Sequence, residues 1–543
     1  MFFWLLAVLA STAFRVSHAD PVTVQIQKTT VQGLYNASTG IDSFRGVQYA
    51  TSQRFKRAVL STYSTKKTIN ATFFGVACPQ IAGTNALAVN YGVYGTSEDC
   101  NILDVYRPHN PPSNQLLPVM LFLHGGALTQ GAASYYPADG LVAQSSKLGL
   151  PVITVVINYR LAAYGFLGGK EAAAQGALNL GLYDQKAALT WVQNYIKNFG
   201  GDPSKVTVFG QSSGAMSISY HMLTKNQTLF RAAILESGTS TSVPVLPPNA
   251  YQGNYDALVG LTGCQSANNT FECLRTVDLS VMINATNILY GQPTLYSSRP
   301  WGVAIDGDVI PSSPSILTAQ GKLSRIPIIA GNVFDEGTIF VKPQQLNSTD
   351  DLLSFLECDY LNRNATFFKN QTSISQLEKL YPDDPVLGSP YQTGVQTFFT
   401  GSQFKRAAAL YGDLHFHSAR RDFLQIAVSL NMPAWSYLFG ETDPGSAAWQ
   451  GVFHTSELPY LFTKVPAVGA LTALSRQMIA YWVSFATNLD PNTHGQPKWE
   501  PYSQGKQNNY ITAAQAVMVP DTFRKDGIDF IRIISNQFLE PKS

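Results

Sequence analysis

Gly210-Gln211-Ser212-Ser213-Gly214 is the stretch with the clearest chemistry in the chain. It follows the apolar run Val206-Thr207-Val208-Phe209 and precedes the helical run Ala215 to Leu223, so Ser212 is predicted on a sharp turn between a buried strand and a helix. Such a turn holds the hydroxyl out of the sheet, and flanking glycines permit a backbone approach that a Cβ would block. The helix that follows directs its positive end toward any anion forming beside the serine. A serine hydroxyl is a weak nucleophile until a base takes its proton. In this setting the base is a histidine steadied by a carboxylate, both lying downstream of the serine.

The histidines after Ser212 are His221, His415, His417, His454 and His494. His454 lies in Gly451-Val452-Phe453-His454-Thr455-Ser456-Glu457-Leu458, while His415 and His417 share Leu414-His415-Phe416-His417; spacing alone does not separate them. For the acid, Gly331-Asn332-Val333-Phe334-Asp335-Glu336-Gly337-Thr338 follows the strand-like run Ile326-Pro327-Ile328-Ile329-Ala330. Asp335 and Glu336 both fall at that strand's C-terminal end, and on the residues alone either is eligible.

The elements that must position these groups read as α/β. Val119-Met120-Leu121-Phe122-Leu123 and Val152-Ile153-Thr154-Val155-Val156-Ile157 are continuous apolar runs bounded by Gly or Pro, the pattern of strands buried on both faces of a largely parallel sheet. Between Asp184 and Lys197 the spacing turns helical, with Ala188, Leu189, Val192 and Ile196 on one side. Strand, helix, strand, turn, helix is α/β grammar. No Pro/Ser-rich linker divides the chain, so residues 20–543 are expected to form one large domain with long insertions.

Composition narrows the function classes. Of 543 residues 45% are hydrophobic and 13% charged, which excludes a disordered chain. A net charge of +2 supplies no basic field for nucleic acid and no polybasic membrane patch. No His/Cys/Asp cluster has metal-ligand spacing and no Gly-rich loop carries a phosphate-binding lysine, so no cofactor or metal is expected. Residues 1–19 read as a cleaved secretory leader: an apolar run from Met1 ends near Phe14, and Ser17-His18-Ala19 offers a cleavage site before Asp20. The run is too short to span a bilayer, so no stable membrane anchor is expected. Asn-x-Ser/Thr sites at Asn36, Asn70, Asn226, Asn268, Asn284, Asn347, Asn364 and Asn370 are glycosylation candidates in that compartment. There Cys78–Cys100 and Cys264–Cys273 can close two local loops, each contributing about 2–3 kcal/mol. Cys358 is left over and reads as a buried free thiol.

At these residues the sequence resembles the type-B carboxylesterase/lipase family, which includes cholinesterases, animal carboxylesterases and secreted fungal lipases. The resemblance runs from about Gly33 to Trp499. It is densest from Asn179-Leu180-Gly181-Leu182-Tyr183-Asp184-Gln185 through Asn198-Phe199-Gly200-Gly201-Asp202-Pro203. Further matches are Glu98-Asp99-Cys100, Asn158-Tyr159-Arg160-Leu161, Ile305-Asp306-Gly307-Asp308, Asp335-Glu336-Gly337-Thr338 and Gly451-Val452-Phe453-His454. The resemblance implies an α/β-hydrolase fold, with a large mostly parallel sheet flanked by helices, and an ester substrate. It implies Ser212, Glu336 and His454 as the triad, with Asp335 in support. It implies an oxyanion hole from the N–H groups of Gly126, Ala127 and Ser213, each donor contributing about 10²–10³ in rate. It also implies ion pairs Arg54–Glu98 and Arg160–Asp184.

The departures refine the expectation. The family usually has Glu before the serine; Gln211 removes that charge, which disfavours choline esters. Ala127 and Ser213 replace the more usual Gly and Ala, keeping the N–H donors while narrowing the space beside the acyl carbon. Slow turnover of bulky tertiary-alcohol esters is therefore expected. Only 21 residues separate Cys78 from Cys100, and they include Gly83, Gly92 and Gly95, so this loop should make a short lid. A secreted serine esterase acting on small or aromatic esters, hydroxycinnamoyl (feruloyl) esters among them, is the reading favoured. A lipase or sterol esterase on long-chain lipid esters is the alternative. A non-catalytic adhesion protein of the same fold is the rival from another class, and the presence of all three triad residues speaks against it.

Overall fold

A computed structural model describes residues 20–81, 95–112, 114–224, 227–291, 300–342, 346–359, 370–465 and 469–539. The leader expected at residues 1–19, most of the lid between Cys78 and Cys100, and the side chain of Cys358 lie outside the described residues.

The strands in chain order are β1 (Asp20–Ile26), β2 (Thr29–Asn36), β3 (Ile41–Gln48), β4 (Ala50–Thr51), β5 (Val59–Leu60), β6 (Lys67–Asn70), β7 (Ile102–Pro108) and β8 (Leu117–Leu123). They continue with β9 (Ile153–Ile157), β10 (Gly201–Gln211), β11 (Ala232–Glu236), β12 (Ile328–Val333), β13 (Ala434–Phe439), β14 (Gln507–Ile511) and β15 (Ala516–Pro520). One sheet runs β1-β2-β3-β7-β9-β8-β10-β11-β12-β13-β14-β15, with β6 paired to β2, while β4 and β5 pair separately. From β9 through β14 every pairing is parallel. The edges, β1-β2-β3-β7-β9 on one side and β14-β15 on the other, are antiparallel. This is the α/β-hydrolase architecture that the sequence implied.

Alternation inside the buried strands divides the core in two. Every residue of β8, β9, β11, β12 and β13 is buried. Leu121, Leu123, Val155, Val208 and Leu235 join the core on one face, whereas Met120, Phe122, Val156, Phe209 and Ile234 join the core on the other. Period-two geometry turns a uniformly apolar sequence into two packed layers. Trp191 is fully buried in the first layer, Trp482 and Trp499 in the second.

Two elements exceed their sequence-derived bounds. The helix expected from Asp184 starts at Leu180, because Leu180, Gly181 and Leu182 are buried against the sheet and extend the apolar face by a turn. It ends at Tyr195, and Ile196–Phe199 tightens into a 3₁₀ turn. Strand β10 begins at Gly201, with a register irregularity before Val206 that the apolar run alone does not reveal. Both expected disulfides, Cys78–Cys100 and Cys264–Cys273, are formed. Among the described residues no helix is long and apolar enough to cross a membrane.

The two expected ion pairs are present and differ in setting. Arg54 donates to Glu98 from both Nε and Nη2 at a partly buried position. Arg160 donates to Asp184 through Nε at 2.8 Å, Nη2 at 2.7 Å and its backbone N–H at 3.0 Å. With side chains 2% and 0% exposed, this second pair ties the segment after β9 to the helix Leu180–Tyr195 and is no surface ornament. Removing one member strands a buried charge. Asp184→Ala should therefore cost about 3–5 kcal/mol in urea or thermal unfolding; a loss below about 1 kcal/mol, the level of an exposed pair, would contradict this account.

Candidate active site

Ser212 sits between β10 and the helix Ser213–Leu223 with φ 59° and ψ −126°, a conformation that costs a non-glycine residue about 1–3 kcal/mol. The surroundings enforce it. Its N–H donates to the carbonyl of Glu236 at the end of β11 (2.8 Å), and its carbonyl accepts from Met216 N (2.9 Å). A Cβ on Gly214 would lie 2.0 Å from the carbonyl oxygen of Leu123, so the helix can approach β8 this closely only with glycine there. The predicted elbow is formed.

The candidate base and acid arrive from neighbouring strands. Glu336 follows β12, and His454 follows β13 by a longer loop. His454 Nδ1 donates to Glu336 Oε2 at 2.6 Å, with both side chains buried. The other oxygen, Oε1, accepts from Asn332 Nδ2 at 2.9 Å and Val333 N at 3.0 Å. Asp335 faces elsewhere: its carboxylate accepts from Ser389 Oγ (2.8 Å), Tyr391 N (2.8 Å) and Val452 N (2.9 Å), and its own N–H donates to Val452 O. It thus clamps the loop two residues before His454 while Glu336 takes the imidazole. Burial pushes the Asp335 carboxyl up to about 6, against the bonds it accepts. Of the two carboxylates, Glu336 is the one bonded to the His454 ring and Asp335 the one bonded to the backbone of Val452.

His415 and His417 do not reach this site. His415 Nδ1 is 2.9 Å from the Ser242 carbonyl oxygen. His417 is held well below its ordinary range by burial first, then by Arg420, Arg421 and Arg524. The segment Asp413–His417 that carries them is a π-helical turn, and what it delivers is Phe416, whose ring lies 4.6 Å from the His454 ring. Phe340 adds a second ring at 5.1 Å. Sequence reasoning missed both aromatics; a π turn has no signal in the apolar spacing.

The third part is the loop after β8. Gly126 has φ +104°, and a Cβ there would lie 2.0 Å from Gln130 O. Ala127 and Leu128 follow at φ 56° and 62°. Leu128 N donates to Ser213 Oγ at 3.2 Å, locking the loop to the helix start. Among the described residues the N–H groups of Gly126, Ala127 and Ser213 have no hydrogen-bond acceptor. His124 is structural: it stacks on Tyr159 at 4.5 Å, and burial brings its ring down to about 4, so it stays neutral.

One contact was not legible. His454 Nε2 lies 3.0 Å from Gln211 Nε2. Because Nδ1–H points at Glu336, Nε2 carries the lone pair and the Gln211 amide donates to it. No hydrogen bond joins Ser212 Oγ to His454 among the described residues. A Cβ on Gly125 would lie 2.7 Å from Gln211 Oε1 and 2.9 Å from Ser212 Cβ, so the amide and the carbon bearing the hydroxyl border the same stretch of backbone. Gln211 thus borders both His454 and the Gly125 backbone beside Ser212, with its amide at the ring nitrogen that Glu336 does not hold.

Of the Asn-x-Ser/Thr positions, Asn70, Asn268, Asn284, Asn347 and Asn370 are exposed and Asn36 is half-buried; Asn226 and Asn364 lie outside the described residues. Among the described residues no group of three His, Cys, Asp or Glu side chains could hold a metal ion.

The carboxylesterase family model matches residues 20–531. Secreted lipase 1 of Botryotinia fuckeliana is 35% identical over 94% of this chain and 92% of its own. Lipase 2 of Geotrichum candidum is 33% identical over 90% of this chain and 91% of its own. The crystal structure of Aspergillus niger EstA superposes with a TM-score of 0.81 at 25% identity, covering 96% of this chain and 99% of that one.

Behind the site lie two further buried acids. Glu236 accepts from Trp482 Nε1 at 2.6 Å through one oxygen, while the other has no partner among the described residues. Burial pushes it up to about 8. Glu457 is raised by burial and by the charges of Glu236 and Glu336. Between the ordinary carboxylate range and about pH 8 the folded protein therefore keeps a proton on Glu236 that the unfolded chain has released, so stability falls as pH rises through that window. Glu236→Gln keeps an acceptor for Trp482 and removes the titration. Its unfolding free energy should decline less than wild type between about pH 5 and 8.5, by roughly 2–4 kcal/mol. Parallel stability–pH curves for the two proteins would show that Glu236 is ionised in the fold.

Proposed function

The chain belongs to the carboxylesterase family and is a carboxylic ester hydrolase; from that premise we propose that it cleaves esters by acyl transfer through Ser212, His454 and Glu336. The observation that carries this reading is the buried 2.6 Å bond from His454 Nδ1 to Glu336, formed beside a strained Ser212 turn. With Nδ1–H committed, Nε2 is the base. The Ser212 hydroxyl takes the place of the Gln211 amide at Nε2, gives up its proton and attacks the ester carbonyl. The oxyanion is received by the N–H groups of Gly126, Ala127 and Ser213. His454 then protonates the leaving alcohol, and water, deprotonated by the same nitrogen, releases the acid and restores the serine. Glu336 stays ionised throughout and balances the imidazolium.

The name of one relative, secreted lipase 1, and the leader-like residues 1–19 support an extracellular enzyme. For substrate, the 21-residue Cys78–Cys100 loop supports soluble small or aromatic esters, feruloyl esters included, since a short lid covers little apolar surface. That both relatives are lipases supports the second reading, hydrolysis of long-chain lipid esters.

Rates on dissolved short-chain and feruloyl esters, set against emulsified long-chain glycerides, separate the two readings on protein recovered from culture medium. The first expects the dissolved esters to be preferred with no jump at the solubility limit, and sharp interfacial activation would reverse the assignment. Ser212→Ala should lose about 10⁴-fold or more in kcat on every substrate, and retained hydrolysis would remove the nucleophile. Ala127→Gly should raise turnover of tertiary-alcohol esters about tenfold or more, each tenfold being about 1.4 kcal/mol of relieved crowding; unchanged rates would mean that the Ala127 methyl does not limit the acyl site.

A further inference from the structure

Glu336 can steady His454 only if its carboxylate holds one orientation, and the bonds around it identify what fixes that orientation. We infer that Arg420 and Asn332 form a positioning pair for the triad acid, resting on the assignment of Glu336 proposed above. Asn332, at the end of β12, donates from Nδ2 to Glu336 Oε1 at 2.9 Å, and its Oδ1 accepts from Arg420 Nε at 2.7 Å. An amide has one accepting end and one donating end. A guanidinium can bind only the accepting end, so Arg420 dictates which way Asn332 faces. The flipped amide would set two donors against each other at Arg420 and two acceptors against each other at Glu336. The cation thereby turns a donor onto Oε1, with Val333 N as the second donor at 3.0 Å. Only Oε2 is left for the imidazole.

Arg420 cannot itself turn. It lies on the helix Ser418–Ser429 with its side chain 2% exposed. Nη1 donates to Ser436 Oγ on β13 (2.6 Å), Asn508 Oδ1 on β14 (2.9 Å) and Asp521 Oδ2 (3.1 Å), and Nη2 donates to Asp521 Oδ1 at 2.8 Å. Asp521 is fixed in turn by Tyr502 Oη at 2.8 Å and by Arg421 Nη2 at 3.0 Å. One guanidinium is thus pinned across β12, β13 and β14, and among the described residues its hydrogen-bonded route to Glu336 runs through the Asn332 amide. Asp521 is the main charge partner of Arg420 and Glu336 a lesser one, so beside that attraction the pair acts on Glu336 through placement and hydrogen-bond direction. Placement errors of this kind reduce turnover without touching ground-state binding.

Asn332→Asp keeps the shape and the acceptor for Arg420 but cannot donate to Glu336, and it adds a negative charge beside it. The expected result is a fall of about 10- to 100-fold in kcat with KM within about twofold of wild type. The acidic limb of the kcat/KM profile should also move to higher pH, because a second carboxylate favours the protonated histidine. Glu457 and Tyr437, which also feel the Glu336 charge, are shared by both proteins, so the comparison isolates the substitution. Asn332→Ser, too short to span both partners and uncharged, should lower kcat without moving the limb. Wild-type kcat and an unmoved profile in both variants overturn the inference. Glu336→Gln keeps the two failures apart. If it abolishes activity while the Asn332 variants behave as wild type, only the positioning pair falls; if it leaves activity intact, the triad assignment falls with it.

Discussion

The proton on His454 Nδ1 is the constraint that organises this molecule. Its 2.6 Å bond to Glu336 Oε2 decides which ring nitrogen is left to act, and that choice is meaningful only because both side chains are shut away from water. In water an imidazole exchanges tautomers freely; here the alternative would leave a buried carboxylate oxygen facing a bare nitrogen. The sheet exists, from the site's point of view, to make this pairing unavoidable. Strands β10, β12 and β13 end at the same edge, and the parallel register carries the turn of Ser212, the acid and the loop of the histidine to one place. Asp335 completes the arrangement by binding the backbone of Val452, so the loop cannot drift while its histidine is held by the adjacent residue.

Gln211 acquires a physical reason when the charges around it are considered together. Glu236, Glu336 and Glu457 are all essentially buried, and the first has an oxygen without a partner while the last has two, among the described residues. Burial raises both Glu236, to about 8, and Glu457. A carboxylate at position 211 would add one more charge to a region with little to balance it. A neutral amide avoids that cost and still presents a hydrogen-bond donor to His454 Nε2. A group approaching His454 Nε2 must compete with that one neutral hydrogen bond, an interaction worth about 1 kcal/mol net.

Much of this was legible in the sequence, for identifiable reasons. The elbow is written locally, in a strand, two glycines and a helix within about twenty residues, and no distant contact is needed to recognise it. The buried parallel strands announce themselves by uninterrupted apolar runs. The choice between Asp335 and Glu336 is not legible from the residues, because consecutive side chains at a strand end are told apart only by what the next strand's loop offers them; the family resemblance implies Glu336. His415 and His417 could not be dismissed by spacing, since the π turn that rotates them away from His454 leaves no periodic trace. Two of the matching motifs turn out to be halves of one contact: Asn179 and Tyr183 meet Asp306 and Asp308 through side-chain hydrogen bonds of 2.9 and 2.8 Å, though more than a hundred residues separate them.

The site's support is built from groups whose own sequence neighbourhoods say nothing about catalysis. Arg420 sits in a helical run, Asn332 within a strand, Phe416 in a distorted turn, and each would pass for ordinary core by burial alone. Their common feature is that each can satisfy its bonds in only one orientation once its neighbours are placed. Arg420 has fixed donor directions, Asn332 an asymmetric amide, Phe416 a ring wedged against the imidazole. A reacting geometry needs that lack of alternatives more than it needs strong interactions, since a group with two equally good orientations is misplaced half the time. The protein obtains it by routing the second oxygen of Glu336, through one amide, to a cation anchored on three strands. The rigidity of the sheet is thereby transmitted to the one carboxylate whose direction matters.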